Sequence, residues 1–138
     1  MSVAAKKIAT IVRSIDRARE EHVNAAGSFR SDLGRQDAAV LNVMRACEAA
    51  VDLANMLVRE RRLGLPSNMR ESFSLLERAG LITPELSGRL QNMIGFRNIA
   101  VHDYQALNLD IVEAVITKSL DDLLTFAEAA RPHLAGDD

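Results

Sequence analysis

Apolar residues recur every three or four positions along nearly the whole chain, with no sustained every-second-residue alternation anywhere. That spacing commits the chain to α-helices. Most of its glycines and prolines fall between the periodic segments and so separate helices rather than break them. Aromatic residues make up only 4% and tryptophan is absent, which disfavours a strand-rich core. With 138 residues the chain fits a single domain over 1–138. A chain of that size buries roughly 65–70% of its unfolded surface, enough for one core without staples.

The pattern predicts five helices in an antiparallel, all-α bundle. The first runs from about Val3 to Val23, with Ile8, Ile11, Val12, Ile15 and Ala18 on its apolar side. Residues 25–36 hold Gly27, Ser28, Ser31, Asp32 and Gly34 and read as a loop, so a longer second helix starts near Asp37 as N-cap. Its buried face carries Val40, Leu41, Met44, Cys47, Val51, Ala54 and Val58, and Gly64 and Pro66 end it. Ser67 is the expected cap of a third helix, with Glu71 in the first turn and Gly80 after its end. Thr83-Pro84-Glu85 is a clear start for the fourth, whose stripe is Leu86, Leu90, Met93, Ile94 and Val101. The fifth begins at Asn108 or Asp110 and carries Ile111, Val115, Leu120, Leu123, Leu124 and Ala127. Met44, Met56, Met69 and Met93 read as flexible core fillers. Apolar and small residues on more than one face of the second helix, Ala46, Ala49 and Ala50 among them, call for a further partner, and a homodimer is expected.

Composition excludes several functions. The formal charge of −2 argues against a general, charge-driven nucleic-acid binder, so any RNA contact must be local. Arg59, Arg61 and Arg62 form one basic cluster, which equally fits a solvated helix end, and Arg70 and Arg97 follow. A single cysteine, Cys47, forbids an internal disulfide and reads as a buried thiol. Nothing resembles a signal peptide or a membrane span, so a soluble, cytoplasmic protein is expected. His22 and His133 read as solvated. Glu48, among alanines, should face solvent or pair with an arginine.

The chemistry concentrates in Arg97-Asn98-Ile99-Ala100-Val101-His102-Asp103-Tyr104. A guanidinium holds phosphate in a planar fork, and an imidazole moves protons near neutral pH. His102 could take the proton of a ribose 2′-hydroxyl or protonate a leaving 5′-oxygen, Arg97 could stabilise charge on phosphoryl oxygens, and Asn98 could orient either partner. No metal or other cofactor is needed for this, and an Asn-x-x-x-His pair is a poor metal pattern. On a regular helix Asn98 and His102 share a face, whereas Arg97 and His102 diverge by roughly 140°. Either a wrapped arginine or a helix ending near Val101 would reunite them, and Gly95 would let another backbone come close. Spacing alone leaves the bland alternative open: cations at a helix C-terminus, a local amide and a packed tyrosine.

The segment is more specific than its spacing. An arginine, a polar residue directly after it and a histidine four residues further on resemble the signature of the HEPN ribonucleases. Tyr104, two beyond His102, resembles the HepT-like toxin branch. Arg45 to Ala54 is similar to that branch's second helix, and the stretch from Gly95-Phe96-Arg97-Asn98 through Asn108-Leu109-Asp110-Ile111 also resembles that branch, so the likeness covers most of 38–121. It implies a dimeric helical bundle whose two Arg–His motifs meet in a cleft. It also implies a metal-independent endoribonuclease, the toxin of a type II/VII-like toxin–antitoxin system. The implied partners are an RNA substrate and an MntA-like nucleotidyltransferase antitoxin that adds AMP to Tyr104, placing charge and bulk beside the phosphate site. The alternatives are a non-catalytic module that docks a nucleotidyltransferase or a nucleotide, and a structural adaptor.

Overall fold

In the computed structural model, which describes residues 2–134, every regular element is helical. Helix α1 spans Val3–Asn24, α2 Leu33–Arg61, α3 Met69–Arg78 and α4 Pro84–His102. Three segments then continue one another as a single last rod: α5 at Leu109–Ala114, a π-helical turn at Val115–Ser119 and α6 at Leu120–Ala130. Short 3₁₀ turns lie at Phe29–Ser31, Tyr104–Ala106 and Arg131–His133.

Local chemistry sets the helix starts. Side-chain oxygens of Ser2, Asp32, Asn68, Thr83 and Asn108 each accept a backbone N–H of the first turn. Two of these correct the sequence reading. Helix α2 starts at Leu33 rather than near Asp37, because Asp32 caps it through the Arg35 N–H at 3.1 Å and Gly34 is tolerated in the first turn. The loop expected over 25–36 shrinks accordingly, and Gln36 is buried with its amide donating to the Phe29 carbonyl at 2.8 Å. Helix α3 is capped by Asn68, while Glu71 reaches back to accept the Ser67 N–H at 2.7 Å. Helix α2 ends with Arg62 in the left-handed region, at φ 53°, just before Gly64.

Helix α2 is the central rod and contacts α1, α3, α4 and α6. Val43, Ala46, Cys47, Ala50, Leu53 and Ala54 are fully buried along it, and their alanines let α1 pack closely through Ile11, Ile15 and Ala18. Phe73 of α3 meets Phe126 of α6 edge to face, with ring centroids 5.3 Å apart. Cys47 is buried as expected, and burial, more than the neighbouring Glu48 carboxylate, pushes its thiol up to about 12. Met93 is buried, and Met44, Met56 and Met69 pack against the core from its edge.

Five residues expected on core faces lie outside the core: Val12, Leu41, Val101, Ile111, and Ala79, expected on the core side of the third helix with Phe73 and Leu76. In the last rod Val112, rather than Ile111, is turned inward, and Val115, Ile116 and Leu120 follow it through the π turn. His22 is not solvated. It is half-buried, bonds Glu113 at 2.9 Å and stacks its edge against Phe29, tying the end of α1 to α5. His133 lies beside Arg61, with its Nδ1 3.2 Å from the guanidinium, and is also only partly exposed. No helix among the described residues is long and apolar enough to cross a membrane.

Candidate functional site

Helix α4 carries Arg97, Asn98 and His102, and it packs against α2. Arg97 folds back onto α2, where its Nε and Nη2 donate to one carboxylate oxygen of Glu48 at 3.3 and 2.9 Å. Its Nη1 donates to the Asn98 side-chain oxygen at 3.2 Å. The arginine side chain is only 15% exposed and its Glu48 partner 45%, so the pair sits at the rim of the core with the carboxylate on the solvent side. A guanidinium has five N–H donors. Three are used here, which leaves two for a phosphate. Glu48, expected to face solvent or to pair with an arginine, thus pairs with Arg97 while staying partly exposed.

His102 is the last residue of α4 and is exposed. The helix stays regular through it, so neither a wrapped arginine nor an early helix end reunites the imidazole with Arg97. Within one protomer the two head groups leave α4 on different sides. The structure therefore brings Arg97, Asn98 and Glu48 together and leaves His102 apart, with no hydrogen bond or ion pair among the described residues. Within this protomer the Asn98 oxygen holds Arg97, and its Nδ2 makes no hydrogen bond to the imidazole among the described residues.

Gly95 lies on the same face of α4 as Asn98 and His102. What approaches it is the Arg70 guanidinium of α3, which a Cβ at position 95 would strike. Arg70 has no carboxylate partner among the described residues, so an unpaired cation extends the face that carries His102. Arg59 and Arg61 lie in the last turn of α2, Arg62 follows as its C-cap, and all three are exposed.

Tyr104 sits in the 3₁₀ turn directly after α4, 41% exposed, and its hydroxyl donates to the Asp37 carboxylate on α2. Arg97 of α4 and Tyr104 of the turn after it thus meet Glu48 and Asp37 in reverse order on α2, as two antiparallel helices require. Partial burial, then the hydrogen bond to Asp37 and its negative charge, push the phenol up to about 12. Between pH 10 and 12 the folded chain therefore holds a proton that the unfolded chain releases, so stability falls as pH rises through that window. Tyr104 is the only tyrosine, so its tyrosinate absorbance reports this site alone. The absorbance is expected to rise near pH 12 in the folded protein, with Asp37→Asn moving the midpoint down, and a wild-type midpoint near 10 would contradict the contact. The sequence marks Asp37 as a helix cap, and nothing local signals its role as the tyrosine's partner.

Residues 5–130 match the family described as HepT-like ribonucleases. The mRNA nuclease HepT of Shewanella oneidensis is 46% identical over 125 residues, covering 91% of this chain and 93% of that protein. Two solved structures superpose with a TM-score of 0.90, each covering 96% of this chain and 99% of the matched one. One is a toxin–antitoxin complex with AMP-PNP, at 42% identity. The other is a tri-AMPylated HEPN toxin of Shewanella oneidensis in complex with an MNT antitoxin, at 44% identity.

Proposed function

This chain belongs to the HepT-like ribonuclease family, and from that premise we propose that it is the RNA-cutting toxin of a toxin–antitoxin pair, held in check by an MntA-like nucleotidyltransferase. The observation that carries the reading is the state of Arg97: a guanidinium locked in place by Glu48 and Asn98, with two N–H groups left over, on the helix that ends in an exposed histidine.

The chemistry follows from those groups. The ribose 2′-oxygen attacks the adjacent phosphorus, and the bond to the 5′-oxygen of the next nucleotide breaks. His102 takes the 2′-hydroxyl proton or supplies one to the leaving 5′-oxygen. The spare N–H groups of Arg97 and the Nδ2 of Asn98 meet the phosphoryl oxygens as their charge grows, and because Glu48 already fixes the guanidinium, little reorganisation is needed. Since Arg97 and His102 diverge on one helix, the working cleft is composed by two protomers of a homodimer, each bringing its own motif. That convergence also concentrates positive charge locally on a chain that is acidic overall.

AMP attached to Tyr104 explains neutralisation. Tyr104 follows His102 by two residues, so a nucleotide there brings negative charge and bulk to the place where the RNA backbone must lie. The direct test is incubation of the purified chain with RNA in the presence of EDTA. Cleavage is expected to proceed. RNA that is bound yet stays intact would instead favour a non-catalytic module that docks a nucleotide or a nucleotidyltransferase.

A further inference from the structure

We propose that Asp37 prepares Tyr104 for nucleotidyl transfer, fixing its hydroxyl and accepting its proton as the phenolic oxygen attacks. The proposal rests on the reading of Tyr104 as the AMP acceptor and adds to it a group that the toxin itself contributes to its own modification.

The structure isolates this contact from the needs of the fold. Helix α2 is already capped by Asp32, so Asp37 is not required at the helix start. Its side chain is exposed, and its one hydrogen bond among the described residues is the one it accepts from Tyr104. Conversely, the Tyr104 hydroxyl has no other partner there. A hydrogen bond across two helices thus holds an otherwise exposed tyrosine in one rotamer, which lowers the entropy lost when it must meet an incoming phosphorus.

Room for that encounter lies alongside. A cleft of about 340 Å³ opens against the Tyr104–Asp37 pair, walled by Leu33, Val40, Gln105 and Leu107. Tyr104 is a neutral phenol at neutral pH, its titration being pushed up to about 12 by burial and by Asp37. A neutral phenol is a weak nucleophile, so its proton needs an acceptor within hydrogen-bond reach. Asp37 is the only such group among the described residues of this chain.

The step balances with a nucleoside triphosphate as co-reactant. The phenolic oxygen bonds to the α-phosphorus, the bond from that phosphorus to the bridging oxygen breaks, and pyrophosphate leaves. The phenolic proton passes to the Asp37 carboxylate and then to solvent. Asp37→Asn isolates the proton transfer, because the amide oxygen still accepts the tyrosine's hydrogen bond but is not a base. Asp37→Ala removes both functions.

The test follows AMP transfer from ATP to the full-length chain by its nucleotidyltransferase antitoxin, read as mass added over time, alongside the affinity of the two proteins for each other. Asp37→Asn is expected to slow transfer about 10²-fold. Asp37→Ala should slow it at least as much, with affinity and melting temperature near wild type for both. Transfer to Asp37→Asn at the wild-type rate would overturn the proposal while leaving Tyr104 as acceptor. A slowed rate that matches an equal loss of affinity would also overturn it, as a docking effect. No transfer to the wild type, or undiminished transfer to Tyr104→Phe, would instead remove the reading on which it stands.

Discussion

His102→Ala is expected to lower RNA cleavage by about 10²- to 10⁴-fold, the range that a positioned acid–base group contributes. The side chain is exposed and has no hydrogen bond or ion pair among the described residues, so the variant should melt at the wild-type temperature, and the loss is then chemical. Arg97→Lys should fail comparably for a different reason. A lysine keeps the charge but not the fork, so it cannot hold Glu48, Asn98 and a phosphate at the same time. Cleavage rates on one RNA, with melting curves for each variant, decide both. Undiminished cleavage by His102→Ala would take the imidazole out of the mechanism.

Phe73→Ala should carry the largest stability cost, about 3–5 kcal/mol. The ring is fully buried and meets Phe126 edge on, so its removal both empties volume and breaks the aromatic contact that fastens α3 to α6. Domains are stable by only about 5–15 kcal/mol, so this variant should unfold at a much lower urea concentration or fail to accumulate. A loss below about 1 kcal/mol would mean that the neighbouring helices close the gap, contrary to the dense packing seen around α2.

Much of the fold was legible because helix boundaries are written locally. Thr83-Pro84-Glu85 marks the start of α4, and Gly64 falls just after the end of α2, as the spacing suggested. The start of α2 is ambiguous in the sequence because Asp32 and Asp37 are both cap residues by type and Gly34 resembles loop chemistry, and only the fold selects the bond from the Arg35 N–H to Asp32. The site residues Arg97, Asn98, His102 and Tyr104 stood out through their motif, but their partners did not. Glu48 and Asp37 lie 49 and 67 residues away from Arg97 and Tyr104, respectively, and only the antiparallel register of α2 against α4 brings them together. Val101 is exposed for a related reason: near the end of α4 it is the neighbouring Ala100 that is turned inward, which the spacing of a stripe does not distinguish.

The bond between Tyr104 and Asp37 also has a direction in time. It exists because the phenol has a hydrogen to give. On the reading of Tyr104 as the AMP acceptor, esterifying that oxygen removes the hydrogen and sets an anionic phosphodiester beside the same carboxylate, so the attraction that presents the tyrosine is exchanged for repulsion by the very reaction it serves.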